Sequence, residues 1–462
     1  MDMILKIIDS VSILLFCYFF IISFFYILLI LLSTDQLKKF INVMNSEITI
    51  ISNYTKPISL IVPAYNEQET IIDNIKSLLE LNYPHYEIIL INDGSKDDTL
   101  NKVIQYFKLR KIDLEINMQV DCNEIRGTYG SFDLPNLVVV DKANGGKADA
   151  LNAGINVSRY PLFCGIDADC IIEKNALLRI VKPFLKYEET IAVGGIVRIA
   201  NGCTIQDGKL IKARLPKNPI VVFQIVEYFR AFLSSRIGWE RLNALLIISG
   251  AFGVFKKSAV IKVGGYSKSI GEDMELTLKL HEYFRENKIN YKINFTSDAV
   301  CWTQAPDKLK GMKSQRIRWH RGLIDSLLRH KKMLFNPKYG TVGMLSMPYF
   351  IFVEMLGPII ESIGYLLFTI AIITGTTSAF FVYVFLMAYL FGLLFSFSAI
   401  LLEELSYKRY NNVIEITKLI LFSFIEQLSY RQLTVFWRIS AFFNYKKGSK
   451  SWGSIKRSKF TS

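Results

Sequence analysis

Between Val11 and Leu32 the chain carries no charged residue and is rich in Phe, Ile and Leu. At 1.5 Å rise per residue, a helix of that length matches a hydrocarbon core roughly 30 Å thick, so the segment reads as transmembrane. A cleaved signal peptide is the plain alternative. It fits less well, because the run exceeds the usual core of about 7 to 15 apolar residues and Thr34 to Lys39 offer no small-residue cleavage site. From 41 to about 340 the composition is mixed, with turn punctuation throughout and no run of apolar residues long enough to span. Short β-branched runs alternate there with helical patterns: Ile58 to Val62, a helix near 68 to 81, Glu87 to Ile91, a helix near 97 to 108, Leu137 to Val140, a helix from Lys147, then Phe163 to Ile166. Strand, helix, strand repetition predicts an α/β fold with a mostly parallel sheet covered by helices on both faces.

Apolar character returns after Pro337. Met344 to Ile373 is interrupted by Pro348, Glu354, Gly357, Pro358 and Glu361, which predicts an interfacial first half and a spanning second half from about Ile359. Ser378 to Leu402 reads as a clean second span, and Ile414 to Trp437 as an amphipathic segment lying along the membrane or re-entering it. The expected layout is an N-terminal span in 1–40, an aqueous domain in 41–340, membrane and interfacial helices in 341–440, and a basic tail in 441–462. Lys446 to Lys459 hold six Lys or Arg and no acid, and Lys38 and Lys39 follow the first span. The positive-inside asymmetry therefore places the tail and the aqueous domain in the cytoplasm, on the inner side of the plasma membrane.

Composition agrees with a mosaic: 51% of the 462 residues are apolar by the broad count and 21% charged, which excludes a disordered polar chain. The net charge of +14 suits an anionic partner without choosing among phosphate, nucleic acid and an anionic leaflet. Six scattered cysteines lack paired short spacings and read as reduced thiols, and four histidines leave little for a histidine-based metal site. Any metal here would have oxygen ligands.

Parallel sheets bind ligands beyond the carboxyl ends of their strands, so the loops after the predicted strands matter most. They read Pro63 to Glu67, Asn92 to Ser95, Asp141 to Lys147, and Asp167-Ala168-Asp169. Singly, each could be a turn or a helix cap. Together they bring carboxylates to one sheet edge, and Gly145-Gly146-Lys147 opens a helix where free amides and a lysine would receive a phosphate. Asp167 and Asp169, two apart at a strand end, point to the same face. Two such carboxylates repel, and a hard divalent cation bridging to phosphate oxygens resolves the repulsion.

These residues resemble the membrane-embedded, processive family 2 glycosyltransferases of the GT-A fold, a group that includes poly-N-acetylglucosamine, hyaluronan and cellulose synthases. The resemblance covers roughly 55 to 335 and rests on motifs in order: Tyr65-Asn66-Glu67, Asn92 to Ser95, Asn144 to Lys147, Asp167-Ala168-Asp169, Ser249-Gly250, Gly271-Glu272-Asp273 and Gln315 to Trp319. It implies that Tyr65, Glu67 and Asp93 hold the nucleoside, that Lys147, Asp167 and Arg318 lie near the diphosphate, and that Asp169, with Asp167 beside it, brings in Mg²⁺ or Mn²⁺. Ser249, Gly250, Gln315 and Trp319 would meet the acceptor sugar. Asp273 would be the general base, with Glu272 able to share the role.

The spacing supports the last motif independently, since positions 315, 318 and 319 fall on one helix face. Arginine suits a diphosphate and tryptophan offers a sugar a flat apolar surface. A basic amphipathic helix on anionic lipid would also explain Lys313, Arg316 and Arg321, and both readings can hold on different faces of the helix. For Asp273 the competing reading is a carboxylate stabilised at a helix start.

The implied activity is transfer, with inversion, from a UDP-sugar, UDP-N-acetylglucosamine being the best guess, to the hydroxyl of a growing β-linked polysaccharide, coupled to export. The implied partners are the UDP-sugar, the polysaccharide, the lipid bilayer and an accessory membrane or export subunit, with no nucleic acid. Single transfer to a polyprenyl phosphate and an inactive glycan- or nucleotide-binding membrane subunit are the competing functions. Lys108 to Pro135 exceeds a simple connection and reads as a surface excursion. His320 and His330, without a carboxylate partner in the sequence pattern, read as interfacial. Trp239 and Trp302 read as core or acceptor-groove aromatics.

Overall fold

The structure, a computed structural model, describes residues 2–43, 55–206, 209–377, 379–407, 409–410 and 412–444. The basic tail from 445 onward lies outside the described residues.

Four strands with buried apolar side chains form the centre of the sheet: β1 (Ile58–Ala64), β2 (Tyr86–Asn92), β5 (Leu137–Lys142) and β6 (Leu162–Ile166). They run parallel in the order β5-β2-β1-β6, with Ile61 opposite both Ile89 and Gly165. Helices α2 (Ile71–Leu79), α3 (Thr99–Tyr106) and α4 (Lys147–Val157) connect them. Strands covered on both faces need apolar side chains in both directions, which is why these runs do not alternate.

Both flanks turn antiparallel. Beyond β6 come β11 (Phe252–Lys256), β8 (Thr190–Ile199), β12 (Lys292–Thr303) and the short β7 (Cys170–Ile172); β12 is parallel to β8, and the other new pairs are antiparallel. On the other side β3 (Arg110–Ile112) and β4 (Ile125–Gly130) extend the sheet antiparallel to β5. The stretch expected as a surface excursion thus supplies two strands at the sheet margin, β3 at the edge and β4 beside it. Its polar composition fits an edge, and the Asn156 side chain on α4 anchors it by accepting from the Gln119 and Val120 amides. A separate hairpin pairs β9 (Thr204–Gln206) with β10 (Lys209–Lys212).

Helix α1 (Asp2–Val43) contains the first apolar run. Among the described residues, three helical segments are long and apolar enough to cross a membrane: Ser10–Thr34, α8 (Gly357–Thr374) and α9 (Ala379–Ser406). Outward-facing Leu14, Phe20, Leu366 and Tyr383 are exposed, as lipid-facing side chains are. The sheet and these helices are joined by buried polar contacts rather than by apolar packing alone. Ser33 donates to the Ser234 carbonyl at 2.7 Å, and Trp239 packs among Phe25, Tyr349 and Phe350. Trp239 is therefore a core residue, as is Trp302, whose indole N–H donates to Glu173.

Arg198 on β8 makes a two-pronged bond with Glu403 on α9, at 2.5 and 2.8 Å, with both side chains buried. Removing one partner leaves a buried charge unpaired, which typically costs about 3–5 kcal/mol. Glu403→Leu is expected to lower the unfolding temperature of the detergent-purified protein, and adding Arg198→Met to recover most of the loss. A double variant no more stable than Glu403→Leu would show that the pair does not carry this contact.

The last segment forms α10 (Val413–Ile425), a wider turn over 426–430, and α11 (Arg431–Asn444). Helix α10 packs against α9 and α5 (Pro219–Phe229). His320 and His330 are buried rather than interfacial. His330 lies 2.6 Å from Glu282 and 3.6 Å from Glu275, and these carboxylates outweigh burial and raise its pKa. Sequence distance hid the carboxylates, which come from a separate helix.

Candidate active site

A cavity of about 1040 Å³ opens at the ends of the sheet strands. Its walls bring together Lys147, Asp167, Asp169, Ser249, Gly250, Glu272 and Asp273 with Gln315, Arg318 and Trp319. Tyr65, Glu67 and Asp93 lie outside that lining.

The acidic end is built by three elements. Asp167 and Asp169 follow β6, Lys147 begins α4, and Glu272 and Asp273 occupy the first turn of α6 (Glu272–Glu286). The Lys147 ammonium stands 2.6 Å from Asp167 Oδ1, 3.2 Å from Glu272 Oε1 and 3.3 Å from the Gly250 carbonyl oxygen. Burial alone would lower its pKa, but the adjacent carboxylates outweigh burial and raise it. Burial raises the Glu272 pKa while Lys147 opposes that rise. Asp273 Oδ2 accepts from the Gly250 amide at 3.2 Å and Oδ1 from the Met274 amide at 2.8 Å. A side chain at Gly250 would place a carbon 2.8 Å from the Lys147 nitrogen, so it would displace the lysine tip from its present position.

Oxygen atoms of Asp167 and Asp169 and the Cys170 sulfur lie within 4.8 Å of one another. A hydrogen bond with Cys301 and burial raise the Cys170 pKa well above its ordinary value, keeping it a thiol. The pair of carboxylates fits a hard divalent cation, and the thiol does not.

The opposite wall is α7 (Leu309–Arg329). Gln315, Arg318 and Trp319 share its cavity face, and Trp319 is 43% exposed with Tyr228 6.4 Å away. Arg316, open to a lipid-facing reading in the sequence, turns inward: it pairs with Glu227 at 2.7 Å and donates to the Tyr430 hydroxyl at 3.2 Å.

Helices α6 and α7 touch backbone to backbone, because a Cβ on Gly322 would meet the Gly271 Cα at 2.9 Å. Gly322→Val is expected to part Asp273 from the Trp319 face and reduce donor turnover about tenfold to a hundredfold, since displacements near 1 Å have such effects. Near-native turnover in a folded Gly322→Val protein would show that this spacing does not matter.

Asp93 is 3% exposed and its carboxylate receives Lys142 at 2.8 Å and the amides of Gly145 and Gly146 at 3.0 and 2.8 Å. It thereby holds the loop that presents Lys147. Tyr65 is exposed on the neighbouring loop, and Glu67 accepts from Thr70 at 2.9 Å. Glu227, Tyr228 and Arg236 line the cavity without having been singled out in the sequence. Glu227 left one signal, a lone acid in an apolar helix. Arg236 left none; its pKa is pushed down to about 10 by burial, with Asp273 opposing.

A mixed α/β sheet of the GT-A type, with an Asp-x-Asp pair, a lysine at a helix start and a carboxylate facing an arginine–tryptophan helix, defines a glycosyltransferase-like architecture. Residues 59–263 match the model of glycosyl transferase family 2, and residues 165–397 match that of glycosyl transferase family group 2. The chain belongs to this family. It is 32% identical over 276 residues to a poly-β-1,6-N-acetyl-D-glucosamine synthase of Staphylococcus epidermidis, covering 59% of this chain and 56% of that one. The same enzyme name from Staphylococcus aureus strain COL matches at 32% over 274 residues, with the same shares. The chain thus spans little more than half the length of these relatives. Among solved structures, the mannosyltransferase PcManGT from Pyrobaculum calidifontis, in complex with GDP-Man and Mn²⁺, shares the fold with a TM-score of 0.53 and 18% identity, covering 92% of this chain and 99% of that one.

Proposed function

We propose that the protein transfers a sugar, with inversion, from a UDP-sugar to the hydroxyl of a growing β-linked polysaccharide. UDP-N-acetylglucosamine is the preferred donor, by likeness to the staphylococcal relatives. The observation that carries this reading is the meeting of Asp273, the Asp167–Asp169 pair, Lys147 and the Gln315–Arg318–Trp319 face in one cavity.

In the reaction the acceptor oxygen forms a bond to the anomeric carbon as the bond to the diphosphate oxygen breaks. Asp273 takes the acceptor proton, and the bond pair leaves with UDP. Asp169 and Asp167 would hold Mg²⁺ or Mn²⁺, which supplies charge neutralisation for the departing diphosphate. Lys147, released from the carboxylates it now bridges, and Arg318 add donors to the same phosphate oxygens. Trp319 and the Ser249–Gly250 turn position the acceptor sugar. Tyr65, Glu67 and Asp93 serve the nucleoside, Asp93 by fixing the loop around it.

The proposed layout keeps 41–340 on the cytoplasmic face, with the spans in 1–40 and 341–440 carrying the product outward and the tail from 441 remaining inside. An accessory subunit completes export.

A second reading, single transfer to a lipid phosphate, draws on the cavity's reach to Phe350, Glu354 and Arg438 beside the membrane helices. UDP release from a panel of UDP-sugars, with product digestion by linkage-specific hydrolases, separates the two. A lengthening glycan supports the polymerase, and a lipid-linked monosaccharide alone supports the second reading.

A further inference from the structure

A second cavity, of about 740 Å³, shares no lining residue with the first. Its walls come from three sources: the sheet margin around β7 and β12, residues 210–214 at the end of the small hairpin, and the connection from α9 to α10. It therefore lies where a helix long enough to span a bilayer returns to the sheet.

Cations dominate its open side. Lys212 and Arg214 are exposed and line it, and among the described residues neither has a carboxylate in ion-pair range. The nearby Glu173 cannot serve them, because it already receives Arg409 at 2.8 Å, the Trp302 indole at 3.1 Å and Arg179 at 3.5 Å. Glu415 accepts from the Leu215 amide at 3.0 Å.

The deep side has the opposite deficit. Asp298, on β12, is 4% exposed, and among the described residues its Oδ1 has no hydrogen-bond partner. Its Oδ2 reaches Arg179 only at 4.0 Å. An unpartnered buried carboxylate oxygen carries a desolvation cost that a donor from a ligand would remove. Burial raises the Asp298 pKa, with Arg179 opposing.

We infer that this cavity binds a phosphate ester that also carries an ammonium or other hydrogen-bond donor, the chemistry of a phosphoethanolamine group. The phosphate meets Lys212 and Arg214, and the donor meets Asp298. The group can come from a lipid headgroup, since the cavity sits at the end of α9, or from a soluble molecule. Occupancy would tie the α9–α10 connection to β12, whose far end leads through Gln304 to Lys308 into the wall of the first cavity.

The test uses the full chain in detergent, titrated with phosphoethanolamine and with inorganic phosphate by calorimetry, and nanodiscs of phosphatidylethanolamine or phosphatidylcholine for the lipid source. Phosphoethanolamine is expected to bind saturably and about tenfold tighter than phosphate, the worth of one charge-assisted bond. Lys212→Ala with Arg214→Ala, both exposed, should remove that binding, Asp298→Asn should erase the preference over phosphate, and Lys262→Ala, at an exposed lysine that lines neither cavity, should change neither. For a lipid source, native mass spectra should show phosphatidylethanolamine retained by the native protein and lost from the double variant, with phosphatidylcholine retained by neither. Phosphoethanolamine binding untouched by the double variant, or no saturable binding from either source, overturns the proposal.

Discussion

Asp273→Asn is expected to lower kcat by about 10² to 10⁴ while leaving UDP affinity within a few-fold of the native value, the range typical for loss of a general base. The substitution keeps the size of the side chain and an oxygen to accept from the Gly250 amide, which Oδ2 now does at 3.2 Å. What it removes is a site for the acceptor proton. Glu272, the adjacent carboxylate, is a poor replacement because it is buried and held 3.2 Å from Lys147. Glu272→Gln should therefore act mainly through Lys147, weakening donor binding more than kcat. The check is UDP release under saturating donor and acceptor, with UDP binding measured separately by calorimetry. An Asp273→Asn protein that retains native kcat would remove Asp273 from the reaction.

The sheet centre was legible because its strands are apolar on both faces and end in polar loops, so strand positions followed from composition within a residue or two. The flanks were not. Residues 108–135 lack apolar runs because β3 and β4, at the sheet margin, bury few of their side chains, and β12 has its parallel partner β8 far away in sequence. In the cavity, residues in short local motifs could be read: Asp167 with Asp169, or Gln315 with Arg318 and Trp319. Long-range partners could not. Nothing in the sequence pairs Arg316 with Glu227, His330 with Glu282, or Asp93 with Lys142, since each bond depends on how separate elements pack. The same limit explains Asp93: its loop motif is local, but the donors that occupy its carboxylate come from the strand and loop after β4.

The second large effect concerns the carboxylate pair. Asp167 and Asp169 lie at the end of a buried strand, and in the described arrangement Lys147 offsets the charge of Asp167 from 2.6 Å. A diphosphate entering this space brings further negative charge, which Lys147 and Arg318 alone would balance only in part. Asp169 and Asp167 would hold a divalent cation, which would supply the remaining charge neutralisation for the departing diphosphate. Chelation should therefore abolish UDP release by the native protein, and either Mg²⁺ or Mn²⁺ should restore it. Asp169→Asn is expected to cut UDP release about 10³-fold at ordinary metal concentration, combining weaker metal binding with lost charge stabilisation. Raising the metal concentration should recover only part of that loss, because an amide oxygen binds the cation without neutralising it. Lys147→Ala should fall less far and keep its metal dependence. Turnover that persists in Asp169→Asn at the native rate, or that ignores chelators, would mean that the departing diphosphate is stabilised by side chains alone, with Lys147 and Arg318 as the groups to test next.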